Sequence, residues 1–319
     1  MPDEVLQLDN VTKTYGGFHA VRNLSFSVQR GDIFGFLGPN GAGKTTTLRM
    51  ILDIIRPTAG RLSVLGEPSA LKVRHRIGYL PEERGLYKKM TAVRAISYFA
   101  RLKGMPRRAA KARARELLER FGLGEFADTR IMALSRGMAQ KVQVLTAIAH
   151  DPELIILDEP FSGLDPVNQL VLEQMIRELA ERGRTIMFST HVMEHAERLC
   201  NHLLLLANGE KLFDGTLEEA RAATPRRVRL EAEEDLSELG ALESVASVHP
   251  PNGQAPSADG EDGHPYWEIV LARGADPQDI LKACFDRRIA LTRFDQSEPG
   301  LHEIFVTLVG PGAMEARQR

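Results

Sequence analysis

The sequence predicts an α/β protein in two parts: a core on a mainly parallel sheet with a helical insertion, then a smaller α+β domain. Three observations carry this expectation. Short apolar runs, IFGFL at 33–37, LIIL at 154–157 and IMF at 186–188, suit strands buried on both faces of a parallel sheet. Stretches of helical periodicity separate them, which is the alternation of α/β folds. Beyond residue 222 the order becomes strand–helix–strand–strand–helix–strand, the βαββαβ arrangement of ferredoxin-like domains. A chain of 319 residues can bury two such cores. The expected domains are 1–221, with the helical insertion at about 88–150, and 222–310, with 311–319 as a flexible tail.

Taken in order, VLQLDNVTKTY, LSFSVQRGD and IFGFLGP read as strands bounded by turns. A helix over 46–56 (TTLRMILDIIR) stops at Pro57, which cannot continue it. RLSVLG and RIGYLP supply more strand, and AISYFARLKG, PRRAAKARARELLERFGL and MAQKVQVLTAIAH are helical. After LIILDE come helix (VNQLVLEQMIRELAERG), strand (TIMFSTH), helix (MEHAERLCN) and strand (HLLLLANG). Pro225 in ARAATPRR marks a linker. The second domain then reads VRLEAE, LSELGAL, VASVHP, YWEIVLA, PQDILKACFDRR and IALTRFD. Its middle strands flank PPNGQAPSADGEDGHP, a loop expected to be mobile from its Pro, Gly and acid content.

Composition excludes several classes. A formal charge of −2 gives no global attraction to nucleic acid or to an anionic membrane. Cys200 and Cys284 stand alone in no metal-ligand spacing and read as free thiols of a reducing compartment. The apolar run HLLLLA is far shorter than the ~20 residues of a membrane span. MPDEVLQLDN is acidic and lacks the apolar centre of a signal peptide, so a cytoplasmic protein is expected.

The chemistry concentrates in GPNGAGKTT, which fits G-x-x-x-x-G-K-[ST] between an apolar strand and a helix. Gly38, Pro39, Asn40, Gly41, Ala42, Gly43, Lys44, Thr45 and Thr46 form the loop, whose glycines let backbone N–H groups converge on phosphate oxygens. Lys44 is placed to reach the β- and γ-phosphates, and the Thr45 hydroxyl to ligate Mg²⁺. Asp158 ends the strand LIILD, at the edge where α/β sheets bind ligands, and is expected to hold Mg²⁺ through water. Glu159 points differently and is placed to polarise an attacking water. His191 ends TIMFSTH; alone it reads as a surface residue, beside a phosphate site as a donor to a γ-phosphate. His195 reads as a helix-surface residue. In LSRGMAQK, Ser135 reads either as a helix cap or as part of a second phosphate-contacting loop.

Together these residues resemble the ATP-binding subunit of an ATP-binding cassette (ABC) transporter, over residues 4–215. GPNGAGKT is similar to the Walker A loop of these P-loop NTPases, LIILDE to the Walker B strand, SGLD at 162–165 to the D-loop and His191 to the switch histidine. LSRGMAQK falls at the signature, where Ser135 and Gly137 match the family and Arg136 and Met138 depart from it. Tyr15 matches the aromatic of the A-loop, where stacking of adenine contributes ~1–3 kcal/mol by analogy with base stacking. Glu82 stands where the family carries the Q-loop glutamine, keeping an acceptor for Mg²⁺ or its water but losing the amide donor.

The resemblance implies an antiparallel β subdomain beside the core and ATP with Mg²⁺ as ligands. It also implies a head-to-tail dimer of this chain with itself or a homologous ATPase subunit. Each ATP then lies between the Walker motifs of one chain and the signature of the other. A separately encoded transmembrane permease is the implied partner, with the chain held at the cytoplasmic face of the membrane. No nucleic acid is expected. The C-terminal region resembles an accessory domain of some exporter-type subunits. A ribosome-acting ABC ATPase would resemble two cassettes in one chain. A chromosome or repair ATPase would need a long coiled coil between Lys44 and Asp158, for which there is no room. Residues 101–120 are rich in Lys and Arg, which suits a solvated helix face or a contact with lipid or nucleic acid.

Overall fold

The computed structural model describes residues 4–83, 85–251, 266–296 and 298–309. The chain divides into two compact units, residues 1–217 and 218–319. In the first, β1 (Glu4–Tyr15), β2 (Phe18–Gln29) and β4 (Ala59–Val64) form an antiparallel sheet in the order β2-β1-β4. Leu24, Phe26 and Val28 of β2 alternate with less buried polar residues, the period of a sheet with one covered face. That face meets a second sheet: Phe26 stacks on Phe34 and Phe36 of β3 (Ile33–Leu37), with ring centres 5.5 and 5.8 Å away.

The second sheet has the order β5-β6-β7-β3-β8-β9. It contains β5 (Ile77–Leu80), β6 (Leu154–Asp158), β7 (Thr185–Thr190), β8 (His202–Ala207) and β9 (Glu210–Gly215). All neighbours run parallel except β9, which returns antiparallel along β8. Every residue of β6 and β7 is buried, as their apolar runs require. Leu37 pairs with Thr190, and Asp158 with Ser189. The carboxyl ends of β3, β6 and β7 therefore lie side by side.

Helix α1 (Lys44–Ile51) follows β3 through the glycine loop but ends before the expected Arg56. Asp53 turns into the left-handed region (φ 54), its carboxylate accepts from the Ser69 hydroxyl, and the amides of Ile54 and Ile55 both donate to the Arg49 carbonyl. This local closure stops the helix ahead of Pro57. The helical part comprises α2 (Ala92–Leu102), α3 (Arg107–Arg120) and α4 (Arg136–Ile148). Fully buried Ala95, Ala100, Ala110 and Ala114 let α2 and α3 approach closely. In the basic stretch, Arg113, Arg115 and Arg120 pair with Glu116, Asp128 and Glu178, whereas Arg101, Arg107, Arg108 and Lys111 face solvent. Helices α5 (Pro166–Glu181) and α6 (Met193–Leu199) flank β7 in sequence, and α7 (Leu217–Ala223) follows β9.

The second unit contains β10 (Arg227–Ala232), β11 (Val245–His249), β12 (Trp267–Leu271) and β13 (Leu291–Asp295) in the antiparallel order β11-β12-β10-β13. This is the ferredoxin-like strand order, with one departure. The expected first helix, LSELGAL, is only a 3₁₀ turn over Ser237–Ala241, whereas α8 (Pro277–Asp286) is a full helix capped by Asp276. Leu236 and Leu239 still bury completely, so the turn supplies the core contacts of a longer helix. A further helix, α9 (Leu301–Val309), buries Leu301, Ile304 and Phe305; the sequence reading assigned it no element. The loop expected to be mobile falls largely on 252–265, and the tail on 310–319, both outside the described residues.

Candidate functional site

The loop after β3 takes its shape from glycine. Gly38, Gly41 and Gly43 have φ values of 155°, 77° and 105°. A Cβ on Gly38 would lie 2.2 Å from the Leu206 carbonyl oxygen, and one on Gly43 2.5 Å from that of Ala20. Neither position tolerates a side chain. The Ala42 amide donates to the Pro39 carbonyl (3.1 Å) and the Thr47 hydroxyl to that of Gly43 (3.0 Å), closing the turn onto α1. Lys44, 6% exposed, folds back so that Nζ donates to the Gly38 carbonyl at 2.6 Å and the Pro39 carbonyl at 3.3 Å. Asn40 and Gly41 remain partly or fully open to solvent, and Thr45 and Thr46 sit half-buried in the first turn of α1.

Across the strand ends, Asp158 and Glu159 meet these groups. Asp158 is 1% exposed, and its Oδ1 accepts from the Ser189 hydroxyl at 2.6 Å and, more weakly, from that of Thr45 at 3.5 Å. Burial pushes the Asp158 carboxyl above the usual carboxylate range, against the opposing pull of the two hydroxyls. A buried carboxylate with only hydroxyl partners and a weak first-turn contact is an oxygen donor set suited to a hard divalent cation. Burial, then the Asp158 charge, push the Tyr79 phenol on β5 up to about 12.

Glu159 takes φ 47°, a left-handed conformation unusual for a non-glycine residue. Its amide donates to the Ser189 hydroxyl (3.0 Å) and carbonyl (3.2 Å), which hold the turn. After this strained turn the Glu159 carboxylate has partners different from those of Asp158. Oε2 lies 2.9 Å from Nδ1 of His191, and Oε1 lies 3.3 Å from Lys44 Nζ. Oε1 is buried and makes no hydrogen bond, so this oxygen keeps a free acceptor position. Lys44, Thr45, Asp158, Glu159 and His191 thus converge on one constellation.

Other predicted residues lie apart from it. Tyr15 is 49% exposed at the end of β1, with Lys13 Nζ 5.0 Å from its ring centre, and presents an open aromatic face. Glu82 is exposed just after β5. Ser135 is exposed and caps α4, accepting from the Met138 amide at 3.3 Å, so the cap reading of LSRGMAQK holds within one chain. Among the described residues no hydrogen bond or ion pair joins residues 135–137 to the glycine loop.

Arg136 is the first residue of α4 and does not have a positive φ, so the arginine carries no backbone strain there. Arg136→Gly is therefore expected to destabilise the fold slightly, by no more than ~1 kcal/mol. Thermal denaturation would check this, and a stabilised variant would contradict it. Gly137 is buried, and a Cβ there would lie 2.5 Å from the Asn168 amide group. Asn168 in turn donates to Asp165 Oδ2 (2.6 Å), linking α4 to the segment SGLD.

Sequence reasoning missed Ser189 and Gln143. Ser189 bridges Asp158 and the Glu159 amide; its signal was a hydroxyl at the end of an otherwise apolar strand, two residues before His191. Gln140 donates to the Pro160 carbonyl (3.1 Å), and Gln143 to those of Pro81 (3.4 Å) and Glu83 (3.1 Å). These amides tie α4 to the segments after β5 and β6. His195 is 3% exposed rather than on a helix surface, because α6 turns it inward between Phe161 and Glu173.

The family described as ABC transporter matches residues 21–162, and that described as ATP-binding protein DrrA1-3-like, C-terminal domain, matches residues 215–309. The uncharacterized ABC transporter ATP-binding protein YhaQ of Bacillus subtilis is 40% identical over 307 residues, 96% of this chain and 99% of its own length. Nod factor export ATP-binding protein I of Burkholderia lata is 41% identical over 218 residues, 67% of this chain and 72% of its own. A dimeric structure of the ATP-binding cassette MJ0796, in a post-hydrolysis state bound to ADP and Pi, superimposes with a TM-score of 0.62 at 28% identity. It covers 66% of this chain and 98% of that one. With a glycine loop, a buried Asp158 and a strained Glu159 meeting at the strand ends, and with a relative matched over nearly its whole length, the chain belongs to the ABC transporter ATP-binding subunits, which are ATPases.

Proposed function

We propose that this chain binds Mg·ATP between two copies, or between itself and a homologous subunit, and that hydrolysis there drives a separately encoded permease, in the direction of export. The observation that carries the reading is the placement of the Glu159 carboxylate between Lys44 and His191, with buried Oε1 ion-paired to Lys44 but accepting no hydrogen bond. The glycine loop receives the phosphates through its inward amides and the start of α1. Lys44 exchanges its contacts with the Gly38 and Pro39 carbonyls for the β- and γ-phosphates. Glu159 Oε1 accepts a hydrogen bond from water and takes its proton as the water oxygen bonds to the γ-phosphorus and the bond from that phosphorus to the β-phosphate oxygen breaks, releasing ADP and phosphate. His191 orients the same carboxylate through Oε2 and presents the opposite ring nitrogen to the γ-phosphate. Tyr15 offers its face to adenine.

Thr45 and Asp158 are the residues that would hold Mg²⁺, and Glu82 would reach it or its water. When bound, the ion would supply positive charge that offsets the negative charge of the phosphates. Ser135 is exposed at the start of α4, Gly137 lies buried two residues on, and neither is joined to the glycine loop of its own chain by a hydrogen bond or ion pair among the described residues, which supports a role of this segment toward the ATP of a partner copy. Support for export comes from the relative whose name is Nod factor export ATP-binding protein I. Support for a separate permease comes from the described residues, where no helix is long and apolar enough to cross a membrane. The test is fractionation of cells expressing the chain with and without a polytopic membrane protein taken as its candidate permease. Sedimentation with membranes only when that protein is present is expected, and membrane-independent behaviour in both cases would contradict the reading.

A further inference from the structure

Next to the hydrolytic pair lies a polar cluster that the proposed mechanism does not use, in which Glu173 and His195 are buried and Arg198 is half-exposed. Glu173 on α5 is 5% exposed, and its Oε1 accepts from Arg198 Nε (3.0 Å) and Nη2 (2.7 Å). His195 Nδ1 lies 3.1 Å from the same oxygen and 3.1 Å from Arg198 Nη2, so it either donates to the carboxylate or accepts from the guanidinium. Either arrangement fixes the plane of the imidazole. That plane lies flat on the Phe161 ring, with centroids 4.0 Å apart and an interplanar angle of 17°.

Phe161 is the pivot of the turn that leaves β6. It is 4% exposed and meets Phe188 of β7 edge-on, with centroids 5.8 Å apart. The Ser162 amide donates to the Glu159 carbonyl and the Leu164 amide to the Phe161 carbonyl, each at 3.2 Å. The ring therefore anchors the turn running from Glu159, with its left-handed backbone, to Asp165, the cap of α5. His195 and Arg198 also belong to α6, which begins two residues after His191. Glu159, His191, Phe161, His195 and Arg198 all border one cavity of about 340 Å³.

We propose that the His195 ring, seated on α6 beside Glu173 and Arg198, is a positioning group for hydrolysis. The ring clamps Phe161 to α6, and so sets Glu159 against His191 without touching nucleotide. This inference rests on the role given to Glu159 above.

The test uses the full chain and three variants. His195→Leu keeps buried volume and removes the flat ring, His195→Phe keeps the ring, and Glu159→Gln checks the underlying reading. For His195→Leu, kcat for ATP is expected to fall about tenfold, since small misplacements of reacting groups are costly, while ATP affinity and the thermal unfolding midpoint stay near wild type. His195→Phe is expected to keep at least a third of the wild-type kcat. Wild-type kcat in His195→Leu would overturn the proposal, as would a loss matched by equal losses of affinity and folded protein. Inactive but folded His195→Phe would overturn it too, and this holds even if His195→Leu fails to fold. If Glu159→Gln hydrolyses ATP at the wild-type rate, it is the assignment of Glu159 that fails, a result read independently of both His195 variants.

Discussion

Glu159→Gln is expected to lower ATP hydrolysis by ~10²–10⁴-fold, the span of general-base catalysis, while ATP binding persists. Gln keeps the size of the side chain and can still meet His191, but it does not take a proton from water. The substitution also removes a negative charge from beside the γ-phosphate, so affinity should hold or rise. Glu159 is 7% exposed and faces Lys44 at 3.3 Å, so the charge removed is one that the protein has desolvated. Phosphate release at saturating ATP and fluorescence titration with a labelled nucleotide would measure the two effects separately. A variant that loses affinity in step with turnover would mean that Glu159 shapes the pocket rather than the chemistry.

Lys44→Ala is expected to reduce ATP affinity by about 10²-fold, the upper range for a charge-assisted contact to phosphate. It carries a second, separable effect. Lys44 and Glu159 are 6% and 7% exposed and form a buried ion pair, and removing one member leaves the other uncompensated. Such a change destabilises a fold by ~3–5 kcal/mol when the remaining charge cannot escape. Adding Glu159→Gln removes that charge. The double variant should therefore regain thermal stability over Lys44→Ala and still fail to bind ATP. Recovery of both would show that Lys44 matters for folding alone; recovery of neither would locate the damage in the loop geometry around Gly38.

Much of this was legible in the sequence because the information is local. IFGFL, LIIL and IMF are apolar without alternation, and strands covered on both faces permit nothing else. The glycine loop announces itself since Gly38 and Gly43 stand where neighbouring carbonyls exclude a Cβ. Readings failed where a tertiary contact decides. The end of α1 depends on Ser69 meeting Asp53, which no pattern within 46–56 reveals. LSELGAL has helical composition, yet two buried leucines are satisfied by a single 3₁₀ turn. His195 is polar and sits on a short helix, so the surface was the natural expectation. Its burial follows from Glu173, Arg198 and Phe161, which lie on three different segments.

The signature segment shows the same division. Within one chain LSRGMAQK is a capped helix start, and Arg136 fits it without strain. Gly137 has a packing reason to be glycine, because Asn168 fills the space a side chain would need. A substitution at Gly137 would thus perturb the fold as well as any partner's site. Ser135 is the cleaner probe, being exposed, with its hydroxyl engaged among the described residues in the cap bond from the Met138 amide. Loss of that cap costs about 1 kcal/mol, little enough to leave the domain folded.

The central claim is that ATP is held between the glycine loop of one chain and Ser135 of another. Light scattering of Glu159→Gln, with and without Mg·ATP, and of the same chain also carrying Ser135→Arg, tests it most directly. ATP should drive the single variant to a dimer and leave the double variant in its ATP-free state, although both bind nucleotide. A double variant that dimerises with ATP as readily as the single one would contradict the composite site.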